Sequence, residues 1–178
     1  FGGEALKQIK DLMDTLEALT LNLVNAHSIG EFVFVAFVIA VTPAVCEEFF
    51  FRGLVFHNFE RTMISSKAIF LTGFIFAVFH FHPFNLIPLI LLGYYLTYVV
   101  YYSSSIFTGI AVHFVNNFLS AYLVFRYGKE GFENPDGTIY DNMPLLVTGI
   151  ISFVLFIIIL KIIKNKGTEN KDKIVIDV

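Results

Sequence analysis

The sequence predicts an all-α, polytopic transmembrane helical bundle of about five spans, with an N-terminal amphipathic helix at the interface. Three observations predict it. Of 178 residues, 56% are hydrophobic and only 15% charged, where soluble domains carry about 25% charge. The apolar residues fall into runs broken by Ser, Gly, Pro and Asn, near the roughly 20 residues a helix needs to cross about 30 Å of hydrocarbon. Three of these runs also carry ionisable or amide side chains at similar depth.

The elements follow in order. Over Glu4–Asn25, Leu6, Ile9, Met13, Leu16 and Leu23 recur at helical spacing, opposite Lys7, Lys10, Asp11, Asp14 and Glu17. This segment is too polar to span and reads as an interfacial helix. Ser28-Ile29-Gly30-Glu31 forms a capping box that opens a first span over about 31–56. Pro43 inside it removes a backbone donor, so a kink is expected one turn before Glu47. A second span covers about 67–81 and is broken by His82-Pro83-Phe84-Asn85. A third covers about 86–102, with Gly93 allowing close helix contact, and Ser103-Ser104-Ser105 makes a turn into a fourth over 106–125. A polar loop, 126–142, contains the turn signal Asn134-Pro135-Asp136-Gly137. A fifth span runs over about 143–163. The division is therefore an interfacial helix (1–27), a membrane core (28–163) and a polar tail (164–178). Phe1 in place of a starting Met suggests a fragment or processed form, with further spans upstream.

Basic residues set the orientation. With the tail inside, Arg61, Lys67, Lys161, Lys164, Lys166, Lys171 and Lys173 lie on the inner side against Lys7, Lys10, Arg126 and Lys129 outside. That bias predicts a cytoplasmic C terminus. A net charge of −3 with no basic, aromatic-interleaved patch argues against nucleic acid as a partner. The lone Cys46 excludes an internal disulfide and a Cys-based metal cluster, and reads as a small buried apolar residue.

The chemistry lies in Glu47-Glu48-x-x-x-Arg52. A charge at the centre of a spanning helix costs about 2.5–3.5 kcal/mol, so three unpartnered charges together demand partners, a wet cavity or a task. Glu48 and Arg52 are i,i+4 and can pair; a buried lock between helices would also explain them. Glu47 is turned by about 100° from Glu48, free to face a cavity and act as a general base on water. His80 occupies the second run. His113 and Asn117, again i,i+4, share a face of the fourth, where they could donate to a developing oxyanion or simply bond between helices. Counted from Arg61, Lys67 and Ser103, the three groups lie roughly 15–20 Å deep. Asn116 falls on a neighbouring face; His27, His57 and His82 fall near span ends.

Taken in order, Glu47-Glu48-x-x-x-Arg52, Phe76-x-x-x-His80 and His113-x-x-x-Asn117 resemble the signature motifs of the CAAX protease and bacteriocin-processing (Abi) family, the type II CAAX prenyl endopeptidase-like intramembrane proteases. The resemblance covers about 28–125. It implies that Glu47 and His80 activate water, that His113 and Asn117 form the oxyanion site, and that Glu48 and Arg52 support it. Its implied partners are the lipid bilayer and a membrane-associated peptide or protein substrate, including one lipidated near its C terminus. Tyr101–Ser105 lacks the basic residue many relatives carry there. No cofactor is expected. Zinc is the less favoured alternative, because no His-Glu-x-x-His pair is present and Arg52 opposes a dication beside the carboxylates.

Three functions fit these residues. An intramembrane peptidase leads. A non-catalytic immunity or scaffolding protein of the same fold would keep the polar groups for packing. A proton-coupled transporter would use Glu and His as a relay, though no internal repeat supports it.

Overall fold

The computed structural model describes residues 2–24, 26–127 and 161. Among them the chain is helical throughout, with α1 (Gly2–Val24), α2 (Ile29–Glu60), α3 (Ser65–Phe79), α4 (Leu86–Ser103) and α5 (Ile106–Tyr127). Helices α2, α4 and α5 are each long and apolar enough to cross a membrane. The protein is an all-α membrane bundle. The fifth expected span apart from Lys161, the polar loop beyond Tyr127 and the tail lie outside the described residues.

Helix α1 leaves Leu6, Ile9, Leu12 and Leu19 exposed, as an interfacial helix requires. The cap of α2 differs by one residue from the expected box. Ser28 Oγ accepts from the Glu31 N–H at 3.2 Å, but Glu31 Oε2 accepts from the His27 N–H at 2.8 Å rather than from Ser28. Pro43 does not break α2. A π-turn over Phe37–Val41 precedes it, and the Phe37 carbonyl accepts from both the backbone N–H of Thr42 and its hydroxyl, the latter at 3.1 Å. The widened turn absorbs the proline's missing donor and clash. A second π stretch, Phe49–Phe56, follows Glu48 directly. Both lie within a turn or two of the paired acids, where such turns concentrate at functional sites.

Helix α3 is shorter than its apolar run. Its 15 residues extend about 22 Å, and it stops at His80 because Phe81 adopts a left-handed φ of 51°. Pro83–Asn85 then forms a 3₁₀ turn, capped by His82 Nδ1 accepting from the Asn85 N–H at 3.2 Å. The hairpin α3–α4 is clamped where Gly73 meets Gly93. A Cβ on Gly73 would stand 2.5 Å from the Tyr94 nitrogen, and one on Gly93 would stand 2.8 Å from the Gly73 carbonyl oxygen. Membrane helices approach this closely only through small residues. Around the crossing, Phe51, Phe76 and Leu96 form one core; Phe56, Ala68 and Ile69 form another nearer the α2–α3 turn. At the opposite end, Phe32 of α2 stacks on Phe125 of α5 at 4.6 Å between centroids.

Candidate active site

Arg52 is 3% exposed and has each of its nitrogens engaged. Nη1 donates to Glu48 Oε1 at 2.7 Å, Nη2 to the Gly93 carbonyl at 2.9 Å, and Nε to Thr97 Oγ1 at 3.2 Å. The guanidinium also lies 4.8 Å above the Phe76 ring. One cation thereby ties α2 to α4 at the glycine crossing. Planar, multidentate donation of this kind suits Arg and not Lys.

Glu48 is fully buried. Its Oε1 accepts from Arg52 and stands 2.9 Å from His113 Nδ1. An ionised carboxylate can only accept, so Nδ1 carries the proton and His113 turns Nε2 outward. Glu48 Oε2 has no hydrogen-bond partner and lies against Gly109, where a Cβ would come within 2.7 Å of it. The glycine gives the carboxylate its space.

Glu47 projects from the adjacent face, with its side chain 31% exposed. Its Oε2 is buried without a hydrogen-bond partner, 3.9 Å from His80 Nε2 and 4.0 Å from His113 Nε2. His80 caps the end of α3, and its Nδ1 is 2.7 Å from the Phe76 carbonyl oxygen. Since a carbonyl only accepts, His80 Nδ1 is the protonated nitrogen and Nε2 offers its lone pair. Two histidines from two helices thus aim the same ring atom at one carboxylate oxygen. A gap near 4 Å is too long for a direct hydrogen bond, and Oε2 makes none there.

These groups line an open cavity of about 410 Å³. Glu47, His80, His113, Asn116 and Asn117 supply polar atoms, and Ile39, Leu89, Leu92 and Val124 much of the apolar wall. Asn116 Nδ2 donates to Asn117 Oδ1 at 3.2 Å, which leaves the Asn117 amino group to point elsewhere. All six sequence-predicted site residues therefore gather in one place, with Glu47, His80, His113 and Asn117 on the cavity wall and Glu48 and Arg52 behind it. Sequence reasoning undervalued Asn116 and missed Gly109 and Thr97. It also misread Cys46, which is exposed: its face of α2 turns toward a gap beside α3 that neighbouring rings do not close.

Two imidazoles and a carboxylate are donors zinc accepts. Tetrahedral ligands at about 2 Å from zinc lie only ~3.3 Å apart, closer than the 3.9 and 4.0 Å found here. Among the described residues no group of three His, Cys, Asp or Glu is disposed to hold an ion.

In a helical membrane protein, a buried acid–arginine–histidine cluster beside a second acid on a cavity wall is the mark of a functional site. The sequence model of the family described as Type II CAAX prenyl endopeptidase Rce1-like matches residues 29–119, about half of the chain, and the chain belongs to that family. Membership makes it an integral membrane protein of the CAAX protease type. No curated protein and no solved structure matches the chain.

Proposed function

We propose that the protein is an intramembrane endopeptidase that hydrolyses a peptide bond of a membrane-associated substrate with water activated by Glu47 and His80. The observation that carries this reading is the buried Glu47 Oε2, without a hydrogen-bond partner and some 4 Å from two inward-facing imidazole nitrogens.

A water held between Glu47 and His80 gives its proton to Glu47 as its oxygen attacks the scissile carbonyl carbon. The carbonyl oxygen becomes an oxyanion facing His113 and Asn117. His113 serves that oxyanion as an imidazolium, with Nδ1–H donating to Glu48 and Nε2–H donating into the cavity. Before the attack charges alternate along Arg52, Glu48, His113 and Glu47; after it Glu47 is neutral and the oxyanion carries the fourth charge, so the cluster with its substrate stays neutral as a whole. When the intermediate collapses, the C–N bond breaks and the proton held by Glu47 passes to the leaving amine, directly or through His80. Each oxyanion donor in a dry site is worth about 10²–10³ in rate.

The test is cleavage of membrane-anchored peptides, with and without a lipidated cysteine, by purified protein in detergent. Glu47→Gln should abolish cleavage while leaving the melting temperature unchanged, and activity should survive a zinc chelator. Full activity in Glu47→Gln would remove this residue from the chemistry. Activity lost to the chelator and restored only by zinc would replace the metal-free route.

A further inference from the structure

Glu48 Oε2 is buried and has no hydrogen-bond partner among the described residues, although the same side chain touches an arginine. A buried charged acceptor left without a donor is costly. An arginine beside a carboxylate ordinarily removes that cost with two parallel N–H···O bonds, one to each oxygen. Arg52 makes one, from Nη1 to Oε1 at 2.7 Å. We infer that Thr97 of α4 withholds the second and is a positioning residue of the reaction: it keeps Glu48 half neutralised, so that the remaining charge acts on His113. This rests on the peptidase reading.

The restraint can be followed bond by bond. Nε of Arg52 donates to Thr97 Oγ1 at 3.2 Å, and Nη2 donates to the Gly93 carbonyl at 2.9 Å. Thr97 lies one turn beyond Gly93 on α4, and its hydroxyl donates to the same carbonyl at 2.8 Å. A hydroxyl has one proton. With that proton given to Gly93, Oγ1 faces Arg52 as an acceptor. Two nitrogens of a rigid planar group held by one helix fix its plane, which leaves Nη1 alone for Glu48. Thr97 is fully buried, so solvent does not compete for these bonds.

The consequence falls on α5. Glu48 Oε1 receives Arg52 and stands 2.9 Å from His113 Nδ1, while Oε2 rests against Gly109 with no donor to dilute its charge. In a water-poor interior such residual charge acts strongly over short distances, and the neighbouring imidazolium of His113 is the group that donates to the oxyanion. A two-fold Arg52–Glu48 pair would satisfy the acid by itself and loosen that hold.

Thr97→Val keeps the branched shape and removes the hydroxyl. Released from it, Arg52 should turn toward Oε2 and bind Glu48 through two bonds. Glu48→Gln should then lower the melting temperature in detergent further in the Val background than in the wild type. An equal or smaller drop would overturn the inference, since Thr97 would merely support the pair. In peptide cleavage, Thr97→Val should lower kcat by about 10–10²-fold, short of the roughly 10²–10³ of a whole oxyanion donor, with KM unchanged. Thr97→Ser, which keeps a hydroxyl, should recover kcat. Cleavage by Thr97→Val at the wild-type rate, a loss confined to KM, or a Ser variant as slow as Val would overturn the role in the reaction. Wild-type protein that cuts nothing, while the Val background still deepens the Glu48→Gln loss, would sink the peptidase reading and leave the restraint on Arg52 standing.

Discussion

Removing the Arg52 guanidinium should destabilise the bundle far more than removing it together with its acid. Arg52→Met deletes the three hydrogen bonds to Glu48, the Gly93 carbonyl and Thr97. Gly93 keeps the Thr97 hydroxyl, which donates to its carbonyl oxygen at 2.8 Å. Glu48 fares worse. It is fully buried, its Oε2 already has no partner, and only His113 would remain on Oε1. Breaking a buried pair from one side typically costs about 3–5 kcal/mol, whereas replacing both partners with uncharged groups is often close to neutral. The assay is equilibrium unfolding in detergent of the wild type, Arg52→Met, Glu48→Gln and the double variant. The double variant should recover most of the loss. Its cost should fall short of the sum of the singles by about 3 kcal/mol or more, because the two one-sided losses are largely the same broken pair. A single Arg52→Met within about 0.5 kcal/mol of wild type, or strictly additive singles, would refute the account of Arg52 as the group that compensates Glu48.

Gly93→Ala would press a methyl to 2.8 Å from the Gly73 carbonyl oxygen and 2.9 Å from Phe76, where backbone cannot yield; a loss of about 1–3 kcal/mol is expected in the same unfolding assay. Gly30→Ala, with nothing within 4 Å, should hold or slightly raise stability. Gly109→Ala meets only side chains, Val100 and Glu48 Oε2 at 2.5 and 2.7 Å, so it should retain the fold but displace Glu48 and with it His113, lowering kcat more than it raises KM. Asn117→Ala should cut kcat by about 10²–10³ with substrate binding maintained, and Asn116→Ala should produce a smaller loss by freeing the Asn117 amide to rotate.

Much of the site was legible because helical geometry converts spacing into facing. Glu48 and Arg52 pair because four residues make about one turn, and Glu47 faces the cavity because one residue makes about 100°. Counting from the polar ends of each apolar run brought His80 and His113 to the depth of Glu47. The partners on α4 were hidden because a backbone carbonyl such as that of Gly93 has no signature in residue type, and Thr97 is one hydroxyl among apolar neighbours. Gly109 was hidden because its importance lies in what α2 places against it. The π-turns of α2 departed from the 3.6-residue register on which the reading relied, and the expected kink at Pro43 became a widened but unbroken helix. The apolar pattern of the second run continued to Phe81, yet the left-handed turn there ended α3 before a full span. Family membership followed from the same three motifs, since the matched stretch, 29–119, contains them all.

The shortness of the α3–α4 hairpin has a bearing on the lipid around it. At 15 and 18 residues, its arms reach about 22 and 27 Å, while the 32-residue α2 reaches about 48 Å. Upright helices of these lengths do not match one hydrocarbon thickness. A long helix can tilt, whereas a short arm is met by local thinning of the leaflet, at fractions of a kcal/mol per Å of mismatch. His80 sits at the tip of the shorter arm, where such thinning would shorten the path for solvent to reach an otherwise oily interior.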